Sequence, residues 1–441
     1  MLVDGWLARA ASQRPDGAAL QTPDGDCSYA QLYASARYGA GELEARGATR
    51  GARVAIALPA GLAFAQALHA CLLLGAVAVP VDLRLSEDER TQIAAGSTLL
   101  IDLPLGEGSP SAGSFEPSTH ELDATAIVIH TSGTTSAPRP IELTYGNFLW
   151  SALGSAVALG LDPRERWLCA LPLSHVGGLS ILLRSAIYTT SAIVHERFEE
   201  DRVLYALRTQ QVTLVSLVAT TLARLLDAGL ERPPALRSAL TGGGPVPAAL
   251  VQRARAAGVP VSLTYGLTES CSQATTTPLA DEDDSLTAGP PLFCTRAQIA
   301  GDGEILLRGA TIAPAVLAAD GWLHTGDLGE IDERGRLLVT GRKADTIISG
   351  GENVAPAEVE AVLEAHPQVL EAAVIGRLDP RWGEAVTAII VARGEETVEL
   401  EQLRAHCASV LAPYKVPKQL VLSSEPLPRT RSGKLLRREL R

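Results

Sequence analysis

The chain has 441 residues, of which 46% are hydrophobic and 20% are charged, and its formal net charge is -12. This length and hydrophobic content predict a globular protein with two or three subdomains and a large buried core. The negative charge argues against nucleic acid as a partner, because phosphate backbones attract basic surfaces. The composition is typical of an acidic soluble enzyme.

The six cysteines form no C-x-x-C pair and no His/Cys spacing typical of zinc sites. We therefore expect reduced thiols, a cytoplasmic location and, without a basic apolar leader, no signal peptide. Residues 62–81 contain no charge and are long enough to span a bilayer. Gln66, His69, Gly75 and Pro80 interrupt this stretch. A helix, a turn and a buried strand explain it better than membrane insertion.

The first 50 residues predict two amphipathic helices, 2–11 and 29–46, around a short hairpin, with Ser28 as an N-cap. A strand, a helix and a strand follow at 54–58, 62–74 and 77–81. Such a βαβ unit predicts a parallel sheet. Residues 104–119 are rich in Gly, Ser and Pro and predict an exposed connection.

A polar loop follows the apolar strand at 127–129. It contains four hydroxyl side chains and a glycine, at Thr131, Ser132, Gly133, Thr134 and Thr135. The glycine allows close approach of the backbone to a polyphosphate, and successive N–H groups can bind an anion. Arg139 can add a planar, charged donor. The G-x-x-x-x-G-K-[ST] pattern is absent, and a surface turn rich in Ser and Thr is the alternative.

Another polar pair lies around an apolar helix. A strand ends at Pro172, His175 stands at a glycine-rich turn, and Arg184 is the single charge in the helix that follows. A buried, unpaired guanidinium is costly, so Arg184 needs an anion, either internal or on a substrate. A structural ion pair or an arginine reaching the surface is the alternative. For His175, a core histidine and a substrate contact are equally open.

Two further motifs are typical of ligand sites. The strand and helix pattern at 213–226 precedes a turn whose three glycines, Gly242, Gly243 and Gly244, leave room for a flat ligand. After a strand at 260–263, the segment TYGLTES supplies an aromatic ring, a hydroxyl and a carboxylate at Tyr265, Thr268 and Glu269. Such groups can bind one nucleotide, and Glu269 suits a hard cation on its phosphates. A sharp β-turn is the alternative for the glycines.

The C-terminal third begins with an antiparallel β region at 299–340, in which Asp327 lies in a glycine turn. This carboxylate can accept two hydroxyl hydrogen bonds, as a ribose diol would donate, or it forms an Asx turn. The last part predicts a small α+β lid, with helices at 356–365 and 399–411 and strands at 369–375 and 384–391. All four lysines lie after residue 342. Lys434, in the tail, can neutralise charge that develops in another domain, or it belongs to a solvated basic tail.

Together these motifs resemble those of the adenylate-forming superfamily of acyl-CoA synthetases, whose usual phosphate loop is T-S-G-T-T-G-x-P-K-G. The chain departs from the residues usual in that family at four positions: Ser136 and Pro140 stand where glycines are usual, and Ala137 and Arg139 stand where a basic residue and a lysine are. The departures predict a stiffer loop with one cation. The resemblance continues through TYGN at 144–147 and GGGPVP at 242–247, so that it covers nearly the whole chain.

The resemblance implies an α/β fold with a large N-terminal domain of stacked αβ subdomains and a small β region, followed by a small C-terminal α+β lid. The implied divisions are a domain at 1–340, a hinge at 341–345 and a mobile lid at 346–441. It also implies nucleotide contacts: Tyr265 stacks on adenine, Asp327 binds ribose, Arg342 contacts the nucleotide, Thr268 contacts the phosphate or the acyl carbonyl, and Glu269 holds Mg2+. Lys434 would serve adenylation, and Gly350 and Gly351 would line the tunnel for the pantetheine of coenzyme A.

The segment LPLSHVGG and the arginine after it resemble one branch, the o-succinylbenzoate:CoA ligases of menaquinone biosynthesis. In that branch His175 and Arg184 would face the aryl acid, and the glycine turn at 242–244 would border its pocket. The implied activity is a two-step, AMP-forming acid:CoA ligase that uses ATP, Mg2+ and coenzyme A. A ligase for another aryl or fatty acid, an adenylation enzyme that loads a carrier protein, and a non-catalytic adenylate-binding protein are the alternatives. A homodimer is left open.

Overall fold

The computed structural model describes residues 1–106, 119–131, 138–279, 286–394, 398–429 and 435–440. Its first part forms a five-stranded sheet in the order β6-β4-β5-β8-β9, in which only the β8–β9 pair is antiparallel. The predicted βαβ unit is confirmed by this sheet. The elements are β1 Leu2–Asp4, α1 Trp6–Gln13, β2 Ala18–Thr22, β3 Gly25–Ser28, α2 Tyr29–Ala45, β4 Arg53–Ile56, α3 Leu62–Leu74, β5 Val77–Pro80, α4 Glu87–Ala94, β6 Leu99–Ile101, β7 Thr119–Glu121, β8 Thr125–Thr131 and β9 Arg139–Thr144.

The second part forms an eight-stranded sheet in the order β15-β14-β13-β12-β10-β11-β2-β3. Strands β14, β13, β12, β10, β11 and β2 run parallel to one another. The hairpin β2–β3 from the N-terminus thus completes a sheet built from later residues. The elements are α5 Tyr145–Leu159, β10 Arg166–Cys169, α6 Val176–Tyr188, β11 Ser191–Val194, α7 Glu200–Thr209, β12 Leu214–Leu217, α8 Ala219–Asp227, β13 Ser238–Thr241, α9 Ala248–Ala256, β14 Val261–Tyr265 and β15 Thr275–Thr276.

One hydrophobic core joins these two sheets. Helix α3 is buried over ten of its residues, and it packs in the same core as α2, α5 and α6. A helix that is apolar all round is expected between two layers, where no face meets water. Helix α2 begins with the capping box that Ser28 predicts, since Ser28 accepts from the Gln31 N–H and the Gln31 side chain accepts from Ser28.

The predicted antiparallel region is a four-stranded sheet in the order β16-β17-β18-β19. The C-terminal part follows as a sheet in the order β21-β20-β23-β22, with β24 parallel to β23 and with two helices that share its core. The α/β class and the small C-terminal α+β part are confirmed. The elements are β16 Thr295–Ile299, β17 Glu304–Gly309, β18 Leu323–Ile331, β19 Leu337–Arg342, β20 Ile347–Ser349, β21 Glu352–Val354, α10 Pro356–Glu364, β22 Val369–Asp379, β23 Gly383–Ala392, α11 Leu400–Ala408 and β24 Gln419–Ser423.

The structure differs from the sequence prediction at three places. The predicted helix 2–11 is wrong at its start, because Leu2–Asp4 pairs antiparallel with β7 and the helix begins only at Trp6, which is buried. Thr119, predicted within an exposed connection, lies in β7, and residues 107–118 of that connection lie outside the described residues. Strand β24 was not predicted, since it pairs with β23, a parallel strand that is distant in the sequence.

Candidate active site

Several predicted site residues follow the carboxyl ends of parallel strands. Thr131 ends β8, His175 comes after β10, the turn Gly242–Gly244 comes after β13, and Tyr265 ends β14. In parallel sheets the loops after the strands lie at one edge, which is the usual place for ligands. The two sheets therefore each present one edge to a common candidate site.

A contact between two loops joins these edges. Arg84, in the loop after β5, places its Nη2 atom 3.0 Å from Nε2 of His175. The same guanidinium donates to both carboxylate oxygens of Asp82, at 2.8 and 2.6 Å. Burial alone would raise the pKa of Asp82, but the hydrogen bonds and charge of Arg84 lower it to about 2. The sequence analysis did not single out Asp82 or Arg84; their position directly after a buried parallel strand was the available signal.

The predicted phosphate loop lies between β8 and β9. Thr131 and Arg139 are paired across these antiparallel strands, and the Thr131 hydroxyl is 3.4 Å from the Arg139 carbonyl oxygen. The two strands thus bring the ends of the loop together. Ser132, Gly133, Thr134 and Thr135, together with the departures Ser136 and Ala137, lie outside the described residues. The side chain of Arg139 is exposed.

Tyr265, Asp327 and Arg342 form one group. The Tyr265 hydroxyl donates to Oδ2 of Asp327 at 2.8 Å, and Nε of Arg342 lies 2.9 Å from Oδ1. The carboxylate is buried, with 7% of its side chain exposed. Burial, followed by the charge of Asp327, raises the pKa of Tyr265. Because a carboxylate has about four acceptor positions, Asp327 can still accept hydroxyl hydrogen bonds from a ribose.

Charged residues contact the turn at Gly326 that precedes Asp327. The N–H of Gly326 donates to Oε1 of Glu304 at 2.8 Å, and the Thr325 hydroxyl accepts from the Asp327 N–H at 3.1 Å. Oε2 of Glu304 lies 3.3 Å from Nζ of Lys343, which also lies 2.6 Å from Oδ2 of Asp302. The sequence analysis missed Asp302 and Glu304, since only the folded chain brings Glu304 to the Gly326 N–H and both carboxylates to Lys343.

Thr268 and Glu269 begin a short 3-10 helix at Thr268–Ser270. The Glu269 carbonyl oxygen accepts from the Ala313 N–H at 2.8 Å, which fixes the backbone. Among the described residues the Glu269 carboxylate forms no ion pair, so its oxygens are available to a hard cation. Gly266 is required for this fold, because a Cβ there would lie 1.7 Å from the Ser272 carbonyl oxygen.

Arg184 is buried in α6, with 2% of its surface exposed. Its Nη2 atom donates to Oγ of Ser151 at 3.0 Å, and its guanidinium carbon lies 5.5 Å from the centre of the Trp167 ring. Within the described part of the chain it has no carboxylate partner, and its buried Nε has no acceptor. Burial lowers the pKa of Arg184. The predicted alternatives, an internal ion pair or an arginine reaching the surface, are therefore both wrong for the described residues.

The polar chain from Arg184 leads to the predicted nucleotide motif. Ser151, which accepts from Arg184, donates its hydroxyl hydrogen to the Cys271 carbonyl oxygen at 2.7 Å. Cys271 directly follows the 3-10 helix that contains Glu269 and has a left-handed backbone with φ of 53°. The buried cation is thus linked through one side chain to the segment predicted to bind the nucleotide.

Glycine is required at several positions of the two predicted glycine turns, because of close packing or of a positive φ. A Cβ at Gly242 would lie 2.6 Å from the Thr264 carbonyl oxygen, and Gly243 has φ of 78°. Gly244 has open space around it. In the C-terminal part, Gly350 and Gly351 also have positive φ, and the Gly350 N–H donates to the Trp382 carbonyl oxygen at 2.7 Å. These turns leave backbone accessible where side chains would block it.

Lys434 lies outside the described residues, but the residues on both sides of 430–434 are described. Arg429 and Leu435 form a β-bridge, and Arg429 lies 2.8 Å from a carboxylate oxygen of Glu371. Arg437 lies 3.1 Å from Oδ2 of Asp345 and 2.6 Å from Oε2 of Glu360. The chain on both sides of residues 430–434 is thereby held against the C-terminal sheet and next to the predicted hinge.

No helix in the described ranges is long and apolar enough to cross a membrane. This finding agrees with the interpretation of residues 62–81 as helix α3, a turn at Gly75 and strand β5.

Comparison with known proteins places these observations in a family. Residues 7–316 match the AMP-binding enzyme family and residues 358–434 match the AMP-binding enzyme C-terminal domain. The chain is 36% identical to the 2-succinylbenzoate--CoA ligase of Bacillus subtilis (strain 168), over 99% of this chain and 97% of that protein.

Solved structures agree with this match. The structure of o-succinylbenzoate CoA synthetase from Bacillus subtilis in complex with the acyl-adenylate intermediate OSB-AMP has a TM-score of 0.91 to this chain at 36% identity, covering 100% of this chain and 98% of that one. The complex of that enzyme with ATP and magnesium ion has a TM-score of 0.89 at 36% identity, covering 100% of both chains. The chain therefore belongs to the family of AMP-binding enzymes, in its adenylate-forming acyl-CoA synthetase branch.

Proposed function

We propose that the chain is an ATP-dependent acid:CoA ligase that converts o-succinylbenzoate to o-succinylbenzoyl-CoA, as a step of menaquinone biosynthesis. The main support is the buried guanidinium of Arg184, which has no carboxylate partner among the described residues. A dicarboxylic aryl acid provides one carboxylate for activation and a second one for this cation. The similarity to a 2-succinylbenzoate--CoA ligase points to the same acid.

The first step joins the acid to AMP. An oxygen of one carboxylate of the acid attacks the α-phosphorus of ATP, the bond from that phosphorus to pyrophosphate breaks, and acyl-adenylate and pyrophosphate result. In this step Tyr265 offers its ring to the adenine, and Asp327 accepts from the ribose while Arg342 holds it in place. Lys434, with the phosphate loop at 131–135 and Arg139, stabilises the negative charge that develops at the α-phosphate.

The residues of the chain fit a magnesium ion on the ATP phosphates. The Glu269 carboxylate, which forms no ion pair among the described residues, would hold it, and Thr268 lies beside it on the same short helix. When bound, the ion neutralises phosphate charge and orients the pyrophosphate. A relative has been solved with ATP and magnesium ion.

The second step transfers the acyl group to coenzyme A. The thiol loses its proton, its sulfur attacks the acyl carbon, and the bond from that carbon to the AMP oxygen breaks. The glycine turn Gly350–Gly351 leaves backbone free to line a narrow path for the pantetheine arm. His175 and the turn Gly242–Gly244 would border the acyl group.

The domain division at 1–340, 341–345 and 346–441 is part of this proposal. Two anchors that flank Ala344 support a hinge at 341–345. Lys343 pairs with Asp302 and Glu304 of the preceding β region, and Asp345 pairs with Arg437 of the C-terminal tail. Rotation about Ala344 would leave both anchors intact. The cytoplasmic location and a homodimer remain predictions from the sequence.

The test is CoA-dependent release of AMP by the purified protein with ATP and Mg2+. We expect selective turnover of o-succinylbenzoate over benzoate, coumarate and a medium-chain fatty acid. Turnover of a different acid alone would retain the ligase chemistry and contradict the substrate. Exchange between ATP and pyrophosphate separates the enzyme from a mere adenylate binder, which would show none.

A further inference from the structure

The contact between Arg84 and His175 fixes the position of a proton. An arginine nitrogen offers only hydrogens, so a hydrogen bond from Nη2 of Arg84 to Nε2 of His175 at 3.0 Å requires a lone pair on Nε2. The imidazole is then neutral, and its hydrogen is on Nδ1. Asp82, whose Oδ2 lies 3.6 Å from Nε2, would favour the opposite arrangement if Arg84 were absent.

Nδ1 of His175 is left for a ligand. It has no hydrogen-bond partner in the part of the chain that the structure describes, and 44% of the side chain is exposed. His175 is at the N-cap position of α6, the helix that also holds Arg184, makes no capping hydrogen bond with its side chain, and follows β10 at the edge where the candidate site lies. A donor at this place would be available to an acid bound at that edge.

We propose that Asp82 and Arg84 are positioning residues that hold His175 as the neutral Nδ1–H tautomer, so that Nδ1 donates a hydrogen bond to an oxygen of the bound acid during adenylation. This inference rests on the proposed function for the identity of the acid. Asp82 fixes the Arg84 fork through two hydrogen bonds, and the fork fixes the ring. Such control of a histidine tautomer by its second nitrogen is a general device in active sites.

The electrostatic effects of the two residues on His175 have opposite signs. Burial lowers the pKa of His175, Asp82 raises it and Arg84 lowers it. Arg84→Gln should therefore raise the pKa of His175, whereas Asp82→Asn should lower it. A local loss of structure would expose the ring and raise the pKa in both variants, which makes the sign of the Asp82→Asn shift decisive.

The tautomer is measured directly by two-bond 1H–15N correlation spectra of the protein labelled with 15N-histidine. The chain has eight histidines, and the signals of His175 are those lost in His175→Gln. We expect the Nδ1–H pattern in the unsubstituted protein at pH 8, and a shift toward the Nε2–H pattern in Arg84→Gln. An Nε2–H pattern in the unsubstituted protein would overturn the proposal.

Arg164→Gln is the matched control. Arg164 donates to both carboxylate oxygens of Asp162, two residues before it, as Arg84 does to Asp82, but it is exposed at the surface and, among the described residues, contacts no histidine. Arg164→Gln should change neither the spectrum of His175 nor the rate of ATP–pyrophosphate exchange. Arg84→Lys, which keeps the charge and a donor, should retain the Nδ1–H tautomer more fully than Arg84→Gln.

The functional readout is ATP–pyrophosphate exchange with o-succinylbenzoate, which needs no coenzyme A. Arg84→Gln should lower kcat/KM for the acid about tenfold at pH 8, as expected for one lost hydrogen bond to a charged group. The loss should shrink as the pH falls, because the imidazolium has a hydrogen on Nδ1 whatever its partner. A pH-independent loss, or a loss seen only in the CoA-dependent step, would overturn the proposal. Absence of exchange by the unsubstituted protein with every acid would instead overturn the proposed function.

Discussion

Tyr265 and Arg342 bind the two oxygens of one buried carboxylate, that of Asp327, at 2.8 and 2.9 Å. Asp327 and Arg342 are paired across β18 and β19, whereas Tyr265 comes from the end of β14 in another sheet. The carboxylate thus joins the large sheet to the small antiparallel one. Its position is fixed before a nucleotide binds, which lowers the cost of ordering the site.

Tyr265→Phe and Tyr265→Ala separate the two roles of this residue. The phenylalanine keeps the ring and loses one hydrogen bond, so KM for ATP should rise about threefold to tenfold. The alanine also loses base stacking, which is worth roughly 1–3 kcal/mol, and should raise KM further. ATP–pyrophosphate exchange measures both values. Equal increases in KM for ATP in the two variants would show that the ring does not stack on the base. KM for the acid is the control.

Arg184→Ala should raise KM for o-succinylbenzoate far more than KM for ATP. A hydrogen bond to a charged group contributes about 1.5–3 kcal/mol, which corresponds to a change of roughly 10- to 150-fold in KM. Benzoate, which lacks a second carboxylate, should lose no further activity in this variant. Ser151→Ala removes the one hydrogen-bond partner that Arg184 has among the described residues and leaves its charge. Ser151→Ala should therefore raise KM for o-succinylbenzoate less than Arg184→Ala does. Equal changes in both KM values for Arg184→Ala would indicate a purely structural arginine.

The sequence predicted those features of the fold that depend on local pattern. Helix Leu62–Leu74 and the Ser28 cap follow from apolar runs and from a capping residue, which act over a few positions. Strand β1 could not be predicted, because Leu2–Asp4 is a strand only through pairing with residues 119–121. Contacts made by distant residues, as in β24, have no local signal in the chain.

The candidate site divides in the same way. Tyr265, Asp327 and Arg342 were each predicted from their motif, and the structure shows that they touch. The lack of a carboxylate partner for Arg184 could be found only in the structure, since any of many distant acids might have paired with it. Arg84 was missed because its role depends on His175, which is 91 positions away.

Glu364 should make stability depend on pH. Burial and the nearby Glu360 raise the pKa of its carboxyl from 4.5 to about 7 in the folded protein. The folded state then holds this proton more tightly than the unfolded chain, so this stabilising contribution is full below about pH 4.5 and is lost as the pH rises to 7. Glu364→Gln should remove that loss. The gain in the free energy of unfolding that it gives over the unsubstituted protein should be about 1–2 kcal/mol larger at pH 8 than at pH 5, allowing for partial exposure of the side chain. Thermal unfolding at both pH values tests this.

The control is Glu401→Gln, which replaces an exposed carboxyl in the same C-terminal part. An equal gain in stability from Glu401→Gln would contradict the assignment to Glu364.

Lys434→Ala should separate the two half-reactions. Removal of one preorganised charge lowers a rate about 10²- to 10³-fold, and we expect this loss in ATP–pyrophosphate exchange. The conversion of supplied acyl-adenylate and coenzyme A to thioester should be unaffected, because the charge that Lys434 stabilises develops at the α-phosphate only while the adenylate forms. The anchors Arg429–Glu371 and Arg437–Glu360 lie on the two sides of residues 430–434 and do not involve the lysine, so the variant should fold normally. Lys434→Arg keeps the charge and should retain part of the exchange activity.

Full exchange in Lys434→Ala would contradict the role in adenylation, and loss of thioester formation would contradict the division between the two steps.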